Sequence, residues 1–401
     1  MVTANPPIRA EIDEILPGVI ADRRYLHEHP ELGFQEFETA KFVAERLGSM
    51  GLDDIRTGIA VTGVTALIRG TKPSSGAEKV VLVRADMDAL PIQEENDVDY
   101  RSQTNGKMHA CGHDAHTSML LGIARVLNDR RDEFSGTVKV LFQPAEEGGG
   151  GARVMIEEGV LDDPTVDFVF GQHVAQEIPL GKLEMRDGPA MAAADRFTIV
   201  IKGKGGHGAQ PHLCVDPISI GAQIVTALQT IVGREVDPVE KAVVTVGAFL
   251  AGEASNVIPD TAELRGTLRA FTPSVRELIG RRVGEIAQGV AAAMGGNVEY
   301  TYSPGYPPTV NDPGMASMVR SIAAEVLGEE NVSEGPYHMG AEDFSYFLEQ
   351  KPGAFYFLGS RNEERGLTWG HHHPRFDIDE ASMAAGMEVM VRTVLHVLND
   401  A

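Results

Sequence analysis

A short stretch of the chain, residues 109–114, concentrates side chains that bind divalent metal ions. It contains Cys111 and His113, and Gly112 between them permits a tight turn that directs both side chains to one place. Further candidate ligands follow at three distant points: Glu146 with Glu147, then His173, then the triplet His371, His372 and His373. A thiolate, imidazoles and carboxylates together are typical of a site for a borderline divalent metal. The alternative is a packed turn whose helix is capped by Asp114.

Glu146 and Glu147 are adjacent and are followed directly by glycines 148–151. One glutamate can bind metal and stay ionised, while the other takes a proton from an attacking water and passes it to a leaving amine. The pair therefore predicts metal-dependent hydrolysis. The alternative is a surface turn that carries two mutually repelling carboxylates.

The histidines are weaker signals when each is taken alone. His173 follows an apolar run, where a single histidine is often structural, and it gains weight only from the other candidate ligands. At most one or two members of the 371–373 triplet can face a single site. The others would support a ligand from behind or face solvent.

Short apolar runs at 80–85, 138–142, 168–170 and 354–358 predict buried strands, and helical patterns lie between them. Strands that alternate with helices predict an α/β sheet covered on both faces. Asp86 and Asp88 follow the first run, the glutamate pair follows the second, and His173 follows the third. Because ligands bind beyond the carboxyl ends of strands in open α/β sheets, these groups are expected to meet at one sheet edge.

Residues 190–303 have a different pattern, with strand, helix, two strands and a helix in succession, which predicts a small α+β, ferredoxin-like domain. The segment 300–308 is expected to be the connector back. If His372 joins the metal site, the chain must return to the first domain. We therefore expect a discontinuous catalytic domain, 1–189 and 304–401, with 190–303 inserted into it.

Composition narrows the possible partners and setting of the 401-residue chain. The formal net charge of −23 argues against nucleic acid and anionic membranes as partners. Two cysteines do not suggest a disulfide framework, and they favour the cytoplasm. We expect neither a secretory signal nor a membrane-spanning helix, because there is no basic segment followed by an apolar one and no long apolar run.

The inserted region carries its own polar candidates. His207 is flanked by residues too small to bury it, which suggests an exposed imidazole. Asn256 and Arg269 are candidates for holding a substrate carboxylate. Spacing alone does not distinguish these three from ordinary surface residues.

Taken together, these segments resemble the metallopeptidases and amidohydrolases that include aminoacylases, hippurate hydrolase, auxin-conjugate hydrolases and N-acetyldiaminopimelate deacetylase. The resemblance extends over nearly the whole chain. The motifs that carry it lie at residues 26–33, 84–91, 109–114, 144–148, 171–173, 207–212, 255–260, 340–344 and 372–374.

The resemblance implies a zinc-peptidase-like catalytic domain with a mixed sheet, and an inserted lid and dimerisation domain. It also implies a role for each matching side chain. The metal ligands would be Cys111, His113, Glu147, His173 and His372. Glu146 would be the general acid/base, and His207 would reach a partner subunit's active site to stabilise the tetrahedral intermediate. Asn256 and Arg269 would contact substrate, and Asp86 would support the ligands without binding metal.

Two positions depart from the family pattern. Many relatives have His-x-Asp where this chain has Arg84-Ala85-Asp86, which removes one metal ligand, and Cys111 marks the branch that uses a thiolate instead. Where relatives show Leu-His before the last motif, this chain has His371-His372. We favour His372 as the ligand.

The predicted reaction is hydrolysis of the amide bond of a small anionic N-acyl-L-amino acid to a carboxylate and a free amino acid. A homodimer with two divalent ions per subunit, drawn from Zn, Mn, Ni or Co, is expected. One alternative is a dipeptidase or carboxypeptidase with the same site. An alternative of another class is a non-catalytic metal-binding or regulatory protein on this scaffold.

Overall fold

A computed structural model describes residues 7–52, 54–74 and 76–399. No helix within these ranges combines the length and the apolar character needed to cross a membrane. Helices and strands follow one another in this order: α1 (Ile8–Glu28), α2 (Phe37–Ser49), β1 (Arg56–Ile59), β2 (Gly63–Arg69), β3 (Val80–Asp86), α3 (His113–Asp129), β4 (Thr137–Gln143), α4 (Gly151–Glu157), β5 (Phe168–Pro179), β6 (Leu183–Glu184), β7 (Gly188–Met191), β8 (Ala193–Lys202), β9 (Gly206–His207), α5 (Pro217–Thr230), β10 (Ala242–Ala251), β11 (Val257–Ile258), β12 (Thr261–Ala270), α6 (Pro273–Ala293), β13 (Asn297–Ser303), β14 (Thr309–Asn311), α7 (Pro313–Leu327), β15 (Val332–Ser333), α8 (Ser345–Gln350), β16 (Gly353–Arg361) and α9 (Ser382–Asn399).

The chain divides into two compact units. The first consists of the residues up to Gly188, then Val310–Pro336, then those from Tyr346 onward, and the second consists of Pro189–Thr309 with Tyr337–Ser345. Residues 337–345 thus group with the second unit, whereas the sequence pattern had placed them in the catalytic domain.

The first unit contains an eight-stranded mixed sheet in the order β1-β2-β4-β3-β5-β16-β6-β15. The four central strands β4, β3, β5 and β16 are parallel, and β2 joins β4 in the antiparallel sense. Every residue of β3 is buried, as is nearly all of β4 and β16, so continuous apolar runs are what these positions require. The predicted α/β class with a mixed sheet is confirmed.

One detail of this sheet differs from expectation. His173 was expected beyond the end of its strand, but β5 continues through it to Pro179. Pairing between β3 and β5 stops at Arg84 and Gly171, whereas pairing between β5 and β16 continues and places His173 opposite Phe357. His173 therefore lies inside a strand that continues beyond its pairing with β3, two residues after Gly171.

The second unit has a four-stranded antiparallel sheet in the order β10-β12-β8-β13, with α5 and α6 packed against it. The expectation that 300–308 is only a connector is wrong, because β13 covers Asn297–Ser303 and pairs with β8. Val298, Tyr300 and Tyr302 alternate with polar residues and pack into this unit's core, which is the period-two signal of a strand. The strand completes a β-α-β-β-α-β order, as in ferredoxin-like folds.

Candidate metal centre and active site

The turn before α3 places Cys111 and His113 at the end of the large sheet. Gly112 has φ +89°, and a Cβ added there would lie 2.3 Å from Val174 Cγ2, so both the conformation and the space require glycine. His113 is buried and donates from Nδ1 to the Asp88 carbonyl at 2.8 Å. Its Nε2 has no hydrogen-bond partner within the described part of the chain. A ring held from behind, with its other nitrogen unpartnered, has the arrangement of a metal-binding histidine.

Asp114 does not cap α3, contrary to the alternative considered from the sequence. The N-cap position is Gly112, and no side chain caps the helix there. Asp114 is buried and lies 2.8 Å from Arg23 Nε and 2.7 Å from His27 Nδ1. The turn that carries Cys111 and His113 is therefore tied to α1 by a buried ionic cluster.

His173 is oriented in the same way as His113. Its Nδ1 donates to the Val174 carbonyl at 2.6 Å, and its Nε2 lies 3.5 Å from Cys111 Sγ. Val174 N–H in turn donates to His116 Nε2 at 2.9 Å. His116 Nδ1 donates to Asp86 at 2.6 Å, so both of its ring nitrogens are occupied and it holds the His173 segment instead of binding a metal.

Asp86 lies next to two of the histidines of this region. Its carboxylate accepts hydrogen bonds from Arg84 and His116, both at short distance, and one oxygen stands 3.6 Å from His113 Nε2. These partners satisfy its oxygens without a metal ion. The sequence pattern did not identify the role of His116, although its position one helical turn after His113 could have indicated a shared face.

The glutamate pair occupies a tight turn after β4. Ala145 adopts φ +53°, which is unusual for a residue with a side chain. Glu146 is buried, and Glu147 is half-buried with one oxygen 3.2 Å from His372 Nε2. The backbone N–H groups of both glutamates donate to the Asp88 carboxylate at 3.0 Å each.

The three histidines at 371–373 have different surroundings. His372 has φ +64°, and its backbone N–H donates to the Ala110 carbonyl, which places it beside the Cys111 turn. His371 Nε2 accepts from Gln176 N–H, and burial lowers the pKa of His371 to about 3. His373 stacks on Trp369 with ring centroids 4.2 Å apart. Of the three, only His372 contributes to a group of potential ligands among the described residues.

Five expected ligands come together. Within each of three overlapping groups, the ligand atoms lie within 4.8 Å of one another: Cys111, His113 and His173; Cys111, Glu147 and His372; His113, Glu146 and Glu147. Cys111, His113 and Glu147 each belong to two of these groups, so the three groups form one continuous cluster of potential ligands.

The electrostatics of this region favour a positive charge. Burial and the neighbouring glutamates raise the pKa of Cys111, so its thiolate needs a nearby cation. Burial and the neighbouring rings of His116 and His371 lower the pKa of His173, which keeps that imidazole neutral. Sulfur, imidazole nitrogen and carboxylate oxygen in one place fit Zn²⁺, Mn²⁺, Ni²⁺ or Co²⁺.

The second unit brings two of its three candidates onto neighbouring segments. His207 lies on β9, which pairs with β11, and Gly208 N–H donates to the Asn256 carbonyl at 2.8 Å. His207 is exposed, and its Nδ1 accepts from Ala209 N–H at 3.0 Å. The other nitrogen, Nε2, therefore carries the proton and is available as a donor.

Arg269 lies apart from them on β12 and is half-buried. Its guanidinium donates to Thr267 Oγ1 at 2.7 Å and to the Leu268 carbonyl at 3.0 Å. It forms no ion pair with any carboxylate in the described ranges, and burial lowers its pKa. A half-buried cation without a carboxylate partner is suited to binding an anion.

Comparison with known proteins agrees with this geometry. Residues 82–396 match the model of peptidase family M20/M25/M40. Thermostable carboxypeptidase 2 of Saccharolobus solfataricus is 41% identical over 94% of this chain and 95% of that protein. N-acetylcysteine deacetylase of Bacillus subtilis is 40% identical over 94% of this chain and 96% of that protein.

A solved structure shares both the fold and much of the sequence. The YXEP protein of Bacillus subtilis, described as a dinuclear metal binding peptidase from the M20 family, is 36% identical with a TM-score of 0.84. The match covers 97% of this chain and 99% of that one. The chain described here therefore belongs to peptidase family M20/M25/M40 and is a metal-dependent hydrolase.

Proposed function

We propose that the protein hydrolyses the amide bond of N-acyl-L-amino acids and releases a carboxylate and a free amino acid. The observation that carries the proposal is the convergence of five ligand-type side chains beside Glu146, a buried carboxylate next to the cluster. The similarity to an N-acetylcysteine deacetylase supports an acylated amino acid as the substrate class.

Two divalent ions per subunit would be held by Cys111, His113, Glu147, His173 and His372. Similarity to a protein described as dinuclear supports the number. When bound, such ions polarise the scissile carbonyl and lower the pKa of water, which makes it a nucleophile near neutral pH. The five side chains supply the ligand types. The carbonyl contacts of Nδ1 in His113 and His173 leave Nε2 of each ring as the nitrogen that would bind an ion.

Glu146 would move the proton. Its neighbour Glu147 has one oxygen 3.2 Å from His372 Nε2, in keeping with a ligand role for Glu147. Glu146 is the adjacent buried carboxylate, and it would take a proton from the attacking water and deliver it to the leaving amine. Glu146→Gln is isosteric and cannot accept that proton. We expect it to lower kcat by about 100-fold or more while the ligand set stays intact.

The second unit would bind substrate and join subunits as a lid and dimerisation domain. Arg269 and Asn256 would hold the substrate carboxylate, and the Nε2–H of His207 would donate to the oxyanion in a partner subunit. In support of a dimer, β10 is an edge strand of its sheet and carries the exposed side chains of Phe249 and Leu250. Unpaired edges of this kind pair with a second copy by two-fold symmetry.

The dimer has its own test. The Glu146→Ala and His207→Ala variants, each expected to be inactive alone, are mixed under conditions that allow subunits to exchange. Each mixed dimer would contain one site with both residues intact, so partial activity should return. Mixed dimers that form without any recovery would contradict sharing of sites.

The substrate test is a panel of acetyl- and benzoyl-amino acids together with dipeptides, assayed after metal analysis of the protein as isolated. A second candidate, a carboxypeptidase or dipeptidase, is favoured by the 41% identity to a thermostable carboxypeptidase. Higher kcat/KM for acyl-amino acids than for peptides supports our proposal, and the reverse order supports the second candidate. No hydrolysis of any member by metal-loaded protein would refute both.

A further inference from the structure

Three consecutive backbone N–H groups at the glutamate turn all donate to buried carboxylates. Ala145 N–H donates to Glu36 Oε1 at 2.9 Å, Glu146 N–H to Asp88 Oδ1 at 3.0 Å, and Glu147 N–H to Asp88 Oδ2 at 3.0 Å. Neither acceptor is nearby in the sequence, since Glu36 precedes α2 and Asp88 follows β3. We call Glu36 and Asp88 the carboxylate clamp.

The turn needs such support because its backbone is strained. Ala145 has φ +53°, and the chain around it is tightly packed: a Cβ on Gly33 would lie 3.0 Å from Ala145 Cα, and one on Gly151 would lie 1.8 Å from the Pro144 carbonyl oxygen. Successive N–H groups that converge in a turn form a concavity for anions. Here the protein's own carboxylates fill it, and charge-assisted hydrogen bonds are stronger than neutral ones.

Each member of the clamp also holds a second element. The Asp88 carbonyl accepts from His113 Nδ1, so one residue fixes both a proposed ligand and the backbone of the two glutamates. The other oxygen of Glu36 accepts from Thr62 Oγ1 at 2.6 Å, which ties the turn to the segment between β1 and β2. Both carboxylates are almost fully buried. Water therefore cannot replace a lost contact readily.

We propose that Glu36 and Asp88 are positioning residues that set the different directions of Glu146 and Glu147. The proposal rests on the proposed function, in which one glutamate transfers protons and its neighbour binds metal. Adjacent side chains can serve these two roles only when the backbone between them is fixed. A displacement of about 1 Å at a reacting group can cost roughly 100-fold in rate.

The chemistry of the two acceptors predicts different tolerance to amides. Glu36→Gln keeps one carbonyl oxygen for Ala145 N–H, and the Thr62 hydroxyl can rotate to accept from the new NH2 group. Asp88→Asn must direct an NH2 group at one of two backbone N–H groups, because both Asp88 oxygens are used. The first variant should keep activity, and the second should lose it.

The experiment compares Glu36→Gln, Glu36→Met and Asp88→Asn with the wild type and with Glu388→Met. The control also removes a buried carboxylate from the first unit, but Glu388 lies on α9 and pairs with Arg392. All proteins are loaded with Zn²⁺. We expect Glu36→Met and Asp88→Asn to lower kcat by at least tenfold with KM nearly unchanged. We expect Glu36→Gln and Glu388→Met to stay within about threefold of the wild type.

Amide hydrogen exchange of the peptide covering 144–150 provides a readout that does not depend on turnover. It should become faster in Glu36→Met and Asp88→Asn and stay unchanged in Glu388→Met. If the wild type hydrolyses no amide, the proposed function fails. Amide hydrogen exchange of 144–150 then tests by itself whether the carboxylate clamp holds the turn. Folded Glu36→Met with normal exchange and normal kcat would overturn the proposal, as would Glu36→Gln behaving like Glu36→Met.

Discussion

His27 offers a sharp test of the buried ionic cluster beneath the Cys111 turn. The ring is fully buried between two carboxylates, with Nδ1 2.7 Å from Asp114 and Nε2 3.2 Å from Glu94. Burial disfavours its charged form, but the attraction of Asp114 and the hydrogen bonds to both carboxylates raise the pKa of His27 to about 9. Its ordinary value is 6.5.

The direction and size of the effect follow from linkage. A group whose pKa is raised by folding stabilises the folded state fully below its unfolded pKa, here 6.5, and loses that contribution as the pH rises through about 9. One pKa unit corresponds to about 1.4 kcal/mol, so the full contribution is roughly 3 kcal/mol. The difference in the free energy of unfolding between the wild type and His27→Gln should decrease by that amount between pH 6.5 and pH 9.5.

The assay is urea denaturation across this pH range, with unfolding monitored by tryptophan fluorescence. The chain has a single tryptophan, Trp369, which lies in the first unit with His27, so the signal reports that unit. Subtracting the variant from the wild type at each pH removes the contributions of groups that do not interact with His27. His29→Gln is the matched control, because it makes the same substitution at an exposed position just beyond the same helix. If the difference in unfolding free energy between the wild type and His27→Gln stays constant from pH 6.5 to 9.5, the reasoning is refuted.

Three other predictions concern the turn and the site. Gly151→Ala should destabilise the first unit by about 1–3 kcal/mol, because the new Cβ would lie 1.8 Å from the Pro144 carbonyl oxygen. Gly18→Ala, in the exposed part of α1, should stabilise the first unit by about 0.5–1 kcal/mol. Urea denaturation curves of the two variants that shift in the same direction would contradict this prediction. Glu146→Gln should lower kcat by about 100-fold or more with unchanged metal content, and loss of metal in that variant would argue against a proton-transfer role. Chelation should abolish activity and lower the melting temperature of the first unit, and both should return with Zn²⁺ or Mn²⁺, since an ion that binds only the folded state stabilises it.

The strands of the large sheet could be predicted because their sequence signal is local. The runs at 80–85, 138–142 and 354–358 are largely apolar, with Arg84 and Lys139 as charged exceptions, and the structure buries both faces. The rule that polar groups gather at the carboxyl ends of parallel strands then located the region of the site. By contrast, β13 was missed. Its tyrosines alternate with polar residues such as threonine, and this pattern resembles a loop unless it is known that α6 packs against one face of the strand.

Other features could not be predicted because they depend on contacts between distant segments. No local pattern indicates that Glu36 accepts the N–H of Ala145, which lies over a hundred residues away. The preference for His372 over His371 came from the family resemblance, because no local pattern indicates the backbone φ of +64° at His372. The grouping of 337–345 with the second unit is likewise a tertiary property.

Three of the chain's many acidic residues are buried near the site and hold its residues in place. Asp86 and Asp88 both hold site residues through hydrogen bonds, and Asp114 anchors the turn that bears Cys111. Because their charges are buried, they act on the site with little screening and favour cations there. The same charges repel an anionic substrate. Under the proposed function, a substrate carboxylate would therefore require a separate cation that is not already neutralised. We propose Arg269 for that role, because it forms no ion pair with a carboxylate among the described residues.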